Sequence, residues 1–274
     1  MNRLQTAQIA ALPGWSTELS RCETGRFPAA AEAATHALFA PLHYEANYGY
    51  PLLVWLHGSG DSERQLRRIM PHVSLRNYAA VAPRGTMQMS PPARESDVNS
   101  QTAAEESPHQ RVPGYRWVQS PQHIAQAEQR VSAAIAAARE KFNIREDRIF
   151  LAGYECGGSM AFRIAMQNPD QFAGVLSLCG GFSRDHAPLA NLDAIRQLPL
   201  FVASCRQGTY YPSEQVCDDL RLFHAAGMSI TLREYPGEDG LSIATLADID
   251  RWIMEQIIAP PPAVSDIAKR AKQA

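Results

Sequence analysis

Apolar positions along this chain fall into short buried-looking runs separated by helical stripes. Residues 51–57, 78–83, 148–153, 172–179 and 199–205 are near-continuous apolar runs of strand length. Residues 36–44 and 229–235 add two strands with more polar character, and a short turn at 45–49 separates 36–44 from the next run. Helices are predicted over 63–70, 120–142, 158–167, 213–226 and 242–257. The second is the clearest. Ser120-Pro121 opens it, and Ile124, Val131, Ile135, Ala138 and Phe142 mark one face at helical spacing. For the first, Ser62 is the expected N-cap, with Gln65 three residues on. From residue 120 onward strands and helices alternate, which implies a mainly parallel central sheet flanked by helices on both faces.

Residues 85–114 break this rhythm, with Pro91-Pro92, Glu105-Glu106 and Pro113-Gly114 and few large apolar groups. The stretch reads as an insertion, lid-like or disordered, over the C-terminal edge of the sheet. The expected organisation is a peripheral lead-in at 1–35, one α/β domain at 36–258 and a tail at 259–274. The 274 residues, 45% of them hydrophobic, suffice for a large core. A net charge of -2 gives no electrostatic basis for binding nucleic acid. Five scattered cysteines without a CxxC pair, no apolar leader and no apolar run of about 18 residues suggest a cytoplasmic protein without membrane insertion.

The chemistry concentrates at Gly153-Tyr154-Glu155-Cys156-Gly157-Gly158, between a strand and a helix. Glycines on both sides of a tight strand-to-helix turn are the setting of a G-x-S-x-G nucleophile elbow. Here the central residue is Glu155, which has no hydroxyl to activate. Centring the turn on Cys156 offers a thiol nucleophile, but puts the bulky Tyr154 where a small residue belongs.

Leu56-His57-Gly58-Ser59-Gly60-Asp61, Ala82-Pro83-Arg84-Gly85, Gly114-Tyr115-Arg116-Trp117, the elbow at 152–158 and the run 172–181 follow in an order that resembles the phospholipase/carboxylesterase (acyl-protein thioesterase-like) group of the α/β-hydrolases. The resemblance spans roughly residues 36–257 and implies the α/β-hydrolase fold. It also implies a Ser-His-Asp triad, and all three positions are substituted. Glu155 stands at the nucleophile, Gly208 at the acid, and Leu241 or Asp239 at the histidine, with Glu238 a further register there. By the same resemblance, the backbone amides of Ser59 and Cys156 form the oxyanion hole. His57 packs under its glycine loop and borders a pocket with Gly58, Tyr154 and Tyr210.

Two functions are open at this stage. One is a catalytically degenerate binding protein, its ligand an unidentified small molecule or protein, with the Glu155 carboxylate folded into its own oxyanion hole, ionised and with a lowered pKa. The other is an active carboxylic-ester hydrolase that uses Glu155 or Cys156, with Asp185-His186 as an acid and base. A Mg or Ca site built from Glu155, Glu238 and Asp239 is a weaker reading, since nothing in the spacing demands it. No cofactor or metal is therefore expected.

Overall fold

The computed structural model describes residues 36–89, 113–185, 189 and 191–258. Strand β1 (His36–Phe39) is followed by β2 (Tyr50–Leu56), α1 (Gln65–Val73) and β3 (Ala79–Pro83). After the short β4 (Met87–Gln88) and β5 (Tyr115–Arg116) come α2 (Pro121–Lys141), β6 (Ile144–Tyr154) and α3 (Cys156–Gln167). The chain continues through β7 (Gly174–Leu178), α4 (Leu192–Ile195), β8 (Leu200–Cys205), α5 (Ser213–Ala225), β9 (Ile230–Tyr235) and α6 (Ile243–Ile258).

Seven strands form one sheet in the order β1-β3-β2-β6-β7-β8-β9. Only β1 runs antiparallel to its neighbour; the other pairings are parallel. The near-continuous apolar runs are thereby explained, because strands covered on both faces alternate between two cores rather than between core and water. Leu52, Val54 and Leu56 of β2 face the layer of α2, α3 and α5, while Leu53 and Trp55 face α1 and α6. Ile149 and Leu151 of β6 and Phe150 and Ala152 divide in the same way.

Several elements differ from expectation at their edges. Strand β1 stops at Phe39, where Pro41 withdraws a ladder donor and His43 takes a positive φ of 59°. Helix α1 begins at Gln65 and carries Pro71 within its last turn. Strand β6 starts four residues before the expected run, and its added residues are largely exposed. At the edges of the expected insertion, Met87–Gln88 inside it pairs with Tyr115–Arg116 just beyond it as a two-stranded ribbon, a contact between sequence-distant residues that local pattern does not encode. Residues 90–112 of that insertion, together with the lead-in and the tail, lie outside the described residues.

Buried polar residues tie the loops at the C-terminal edge of the sheet to the helices below. Asp219 of α5, 1% exposed, accepts hydrogen bonds from the Phe182 amide at 3.0 Å, the Tyr211 hydroxyl at 3.0 Å and the Arg184 guanidinium at 3.2 Å. It thus fixes the segments that follow β7 and β8. Asp219→Ala leaves two buried donors without an acceptor and is expected to cost about 2–4 kcal/mol, against about 1 kcal/mol for Tyr211→Phe. Urea unfolding monitored by circular dichroism checks this; equal losses for the two variants would contradict the assignment.

Candidate functional site

The turn between β6 and α3 has the strained geometry expected of an elbow. Glu155 has φ 50° and ψ -119°, a region that side-chain-bearing residues enter only under constraint. Its amide donates to the Leu178 carbonyl at 2.8 Å and its carbonyl accepts from the Ser159 amide at 3.1 Å, so the conformation is held from both sides. Gly157 shows why the turn needs glycine. A Cβ there would overlap the Leu56 and His57 carbonyls, so α3 approaches the end of β2 more closely than any side chain permits.

The loop after β2 is held as firmly. Gln65 uses one side-chain oxygen to accept from the Trp55 indole at 2.7 Å and the Gly58 amide at 3.4 Å, and its amide nitrogen donates to Asp61 at 3.0 Å. His57 is fully buried. Its Nε2 accepts from the Gly85 amide at 2.9 Å, and Nδ1 lies 2.8 Å from the Gly58 carbonyl. Burial holds its pKa below the ordinary histidine value, so the neutral ring props the loop and presents no free nitrogen to a ligand.

Against this frame the Glu155 carboxylate turns back onto the loop. Its Oε2 accepts from the Ser59 amide at 3.1 Å, and the Tyr154 hydroxyl also donates to it. The Tyr154 ring lies over Gly58, where a side chain would collide with it. The expectation of a lowered pKa is corrected: partial burial raises the Glu155 pKa, with Asp239 and Asp61 adding repulsion, and outweighs the Ser59 and Tyr154 hydrogen bonds. The Cys156 thiol is also pushed up by burial, which is opposite to the activation a thiolate nucleophile requires.

The two loops expected to carry the acid and the histidine meet each other. Asp239 Oδ2 accepts from the Thr209 amide, from the Thr209 hydroxyl at 3.1 Å and from the Tyr210 amide at 3.0 Å. Its carboxylate fills the space beside Gly208, where a Cβ would sit 2.5 Å from Oδ1. A carboxylate from the later loop thus occupies the neighbourhood in which the earlier one has none. Leu241 packs among the partly buried apolar residues that also include Tyr154. Tyr210 is 57% exposed, and Glu238 is exposed and does not join a carboxylate cluster with Asp239 among the described residues. His186 lies outside the described residues. Sequence reading passed over the Gln65 and Asp61 network; the polar residues just after the glycine loop, at the start of a helix, were the available signal.

A family model described as Phospholipase/Carboxylesterase matches residues 46–239. The chain belongs to the phospholipase/carboxylesterase family. Solved structures agree on the fold of this family member. A carboxylesterase from Mesorhizobium loti is 18% identical with a TM-score of 0.57, the match covering 74% of this chain and 88% of that one. The Bacillus cereus carboxylesterase is 15% identical with a TM-score of 0.59, covering 82% and 96%. A phospholipase/carboxylesterase from Dyadobacter fermentans is 16% identical with a TM-score of 0.54, covering 81% and 97%. No curated protein matches the chain.

The raised Glu155 pKa has a consequence for stability. An unfolded glutamate ionises near 4.5, so as pH rises past that value the unfolded chain of this carboxylesterase-family protein releases the Glu155 proton before the folded one does. Folding stability therefore falls through the window between 4.5 and the higher folded value, and the penalty is complete above that window. Glu155→Gln keeps an oxygen for the Ser59 amide and removes the ionisation. Its Tm is expected above that of the wild type at pH 7, with the gap closing below pH 4.5; thermal melts at both pH values check this, and a lower Tm for Gln at pH 7 would refute it.

Proposed function

We propose that this member of the phospholipase/carboxylesterase family is catalytically degenerate and acts by binding. The reading rests on one observation: the Glu155 carboxylate accepts the Ser59 amide hydrogen bond, the donor that the family resemblance assigns to the oxyanion hole. A hole occupied by the protein's own carboxylate offers little stabilisation to the oxyanion of a tetrahedral intermediate. The other two triad positions support the same reading. Gly208 has no side chain to orient an imidazole, and Leu241 has no proton to move. Asp239, which lies near Gly208, directs one oxygen to backbone amides.

The partner is proposed to be a small molecule or another protein, met in the cytoplasm. No helix among the described residues is long and apolar enough to cross a membrane.

Hydrolysis of p-nitrophenyl acetate and butyrate by the wild type, Glu155→Ala and Glu155→Ser tests the proposal. Wild type and Glu155→Ala are expected at the buffer background. Glu155→Ser regains a hydroxyl, but Leu241 stands where the resemblance puts the histidine, so the variant should miss the roughly 10²–10⁴-fold contribution of a positioned base. A wild-type rate well above background that vanishes in Glu155→Ala would establish a carboxylate-dependent hydrolase instead.

A further inference from the structure

Cys179 and Cys205 stand at the C-terminal ends of β7 and β8, which are neighbours in the sheet. Both are buried, at 3% and 4% exposure, and their sulfurs lie 3.5 Å apart. Cys179 takes a positive φ of 54°, a strained choice for a residue with a side chain. Its amide is fixed to the Ala203 carbonyl at 2.8 Å. From the segment between β9 and α6, Asp239 completes a group in which one ligand atom from each of the three residues lies within 4.8 Å of the others.

The Asp239 carboxylate is divided in its partners. Oδ2 takes all the donors from Thr209 and Tyr210, whereas Oδ1 is buried and has no hydrogen-bond partner. A desolvated carboxylate oxygen without a donor is costly. Two thiols facing one another are weak donors and satisfy it poorly. A cation between the sulfurs and the oxygen would satisfy all three.

We propose that Cys179, Cys205 and Asp239 form a zinc-binding site with three protein ligands and a fourth position for water. Two sulfurs and one oxygen select a thiophilic divalent ion over magnesium or calcium, which take oxygen ligands. With Zn–S bonds of about 2.3 Å, tetrahedral geometry sets the sulfurs roughly 3.8 Å apart. The observed 3.5 Å therefore needs only a small opening. Binding converts both thiols to thiolates, forms two Zn–S bonds and releases two protons to solvent, with no change of oxidation state. The site joins the ends of two strands to the segment after a third, close to where the family resemblance puts the acid and the histidine. It does not depend on whether ester hydrolysis survives.

The test uses the full chain, reduced with a phosphine, stripped by dialysis against a chelator, then titrated with zinc alone and with cobalt as a spectroscopic probe. One equivalent of zinc is expected, with a Tm increase of roughly 5–10 °C at zinc a hundredfold above Kd. Cobalt should give a near-ultraviolet sulfur-to-metal charge-transfer band and the visible spectrum of a tetrahedral site. Cys179→Ser and Cys205→Ser together should abolish that band. Asp239→Asn, in a part-exposed loop, should weaken zinc binding by at least about tenfold with the fold intact by circular dichroism. Cys217→Ser, at an exposed thiol, should leave stoichiometry and spectrum unchanged. Substoichiometric binding by the reduced wild type would overturn the proposal. So would a band that survives loss of both cysteines, or affinity that is unaffected by Asp239→Asn.

Discussion

A backbone φ of 50° at a residue with a side chain is unfavourable in isolation, and Glu155 keeps it because the surrounding packing leaves no alternative. The Leu178 carbonyl holds its amide, Ser159 holds its carbonyl, and Gly157 brings α3 against the end of β2. None of these restraints involves the residue 155 side chain. The turn therefore presents whatever stands at 155 to the loop at Ser59. A hydroxyl there would face an amide donor as a nucleophile beside an oxyanion site. A longer carboxylate in the same seat reaches the donor itself. At this position the chemistry is set by the side chain alone, because other residues hold the backbone frame.

The electrostatics of the site are correspondingly unlike those of an activated nucleophile. Glu155, Asp239 and Asp61 are all acidic, and each of the latter two raises the Glu155 pKa. Burial first and then the same field raise the Tyr154 pKa, and the field is the main cause of the rise at Tyr210. A hydrogen bond from one amide and one phenol does not offset the partial desolvation of the carboxylate. The side chain thus occupies its position at a cost, and the strained turn and the buried loop sustain it.

Much of the architecture was legible in the sequence because strands covered on both faces must be apolar throughout. The 51–57, 78–83 and 199–205 runs carried that pattern without ambiguity. The elbow was legible from glycines flanking a strand-to-helix boundary. What local pattern does not contain is contact between distant residues. The β4–β5 ribbon joins segments more than twenty-five residues apart, and the Asp239 contact with the Gly208 loop depends on how two strand ends converge. The sign of the Glu155 pKa was misread for a related reason. Counting possible amide donors predicted a lowered value, whereas the balance depends on burial and on acids brought in from other loops. The two buried cysteines are a similar case: they looked scattered along the chain, yet both fall at the C-terminal ends of consecutive parallel strands.

That convergence links the metal site to the elbow. Asp239 is both a proposed zinc ligand and one source of the repulsion on Glu155. Zinc would bring two positive charges and displace two protons, so the net charge of the Cys179, Cys205 and Asp239 group is the same with metal as without it. The repulsion that Asp239 exerts on Glu155 therefore persists in either state. The two features share a residue through the convergence of strand ends, and not through a switch of charge.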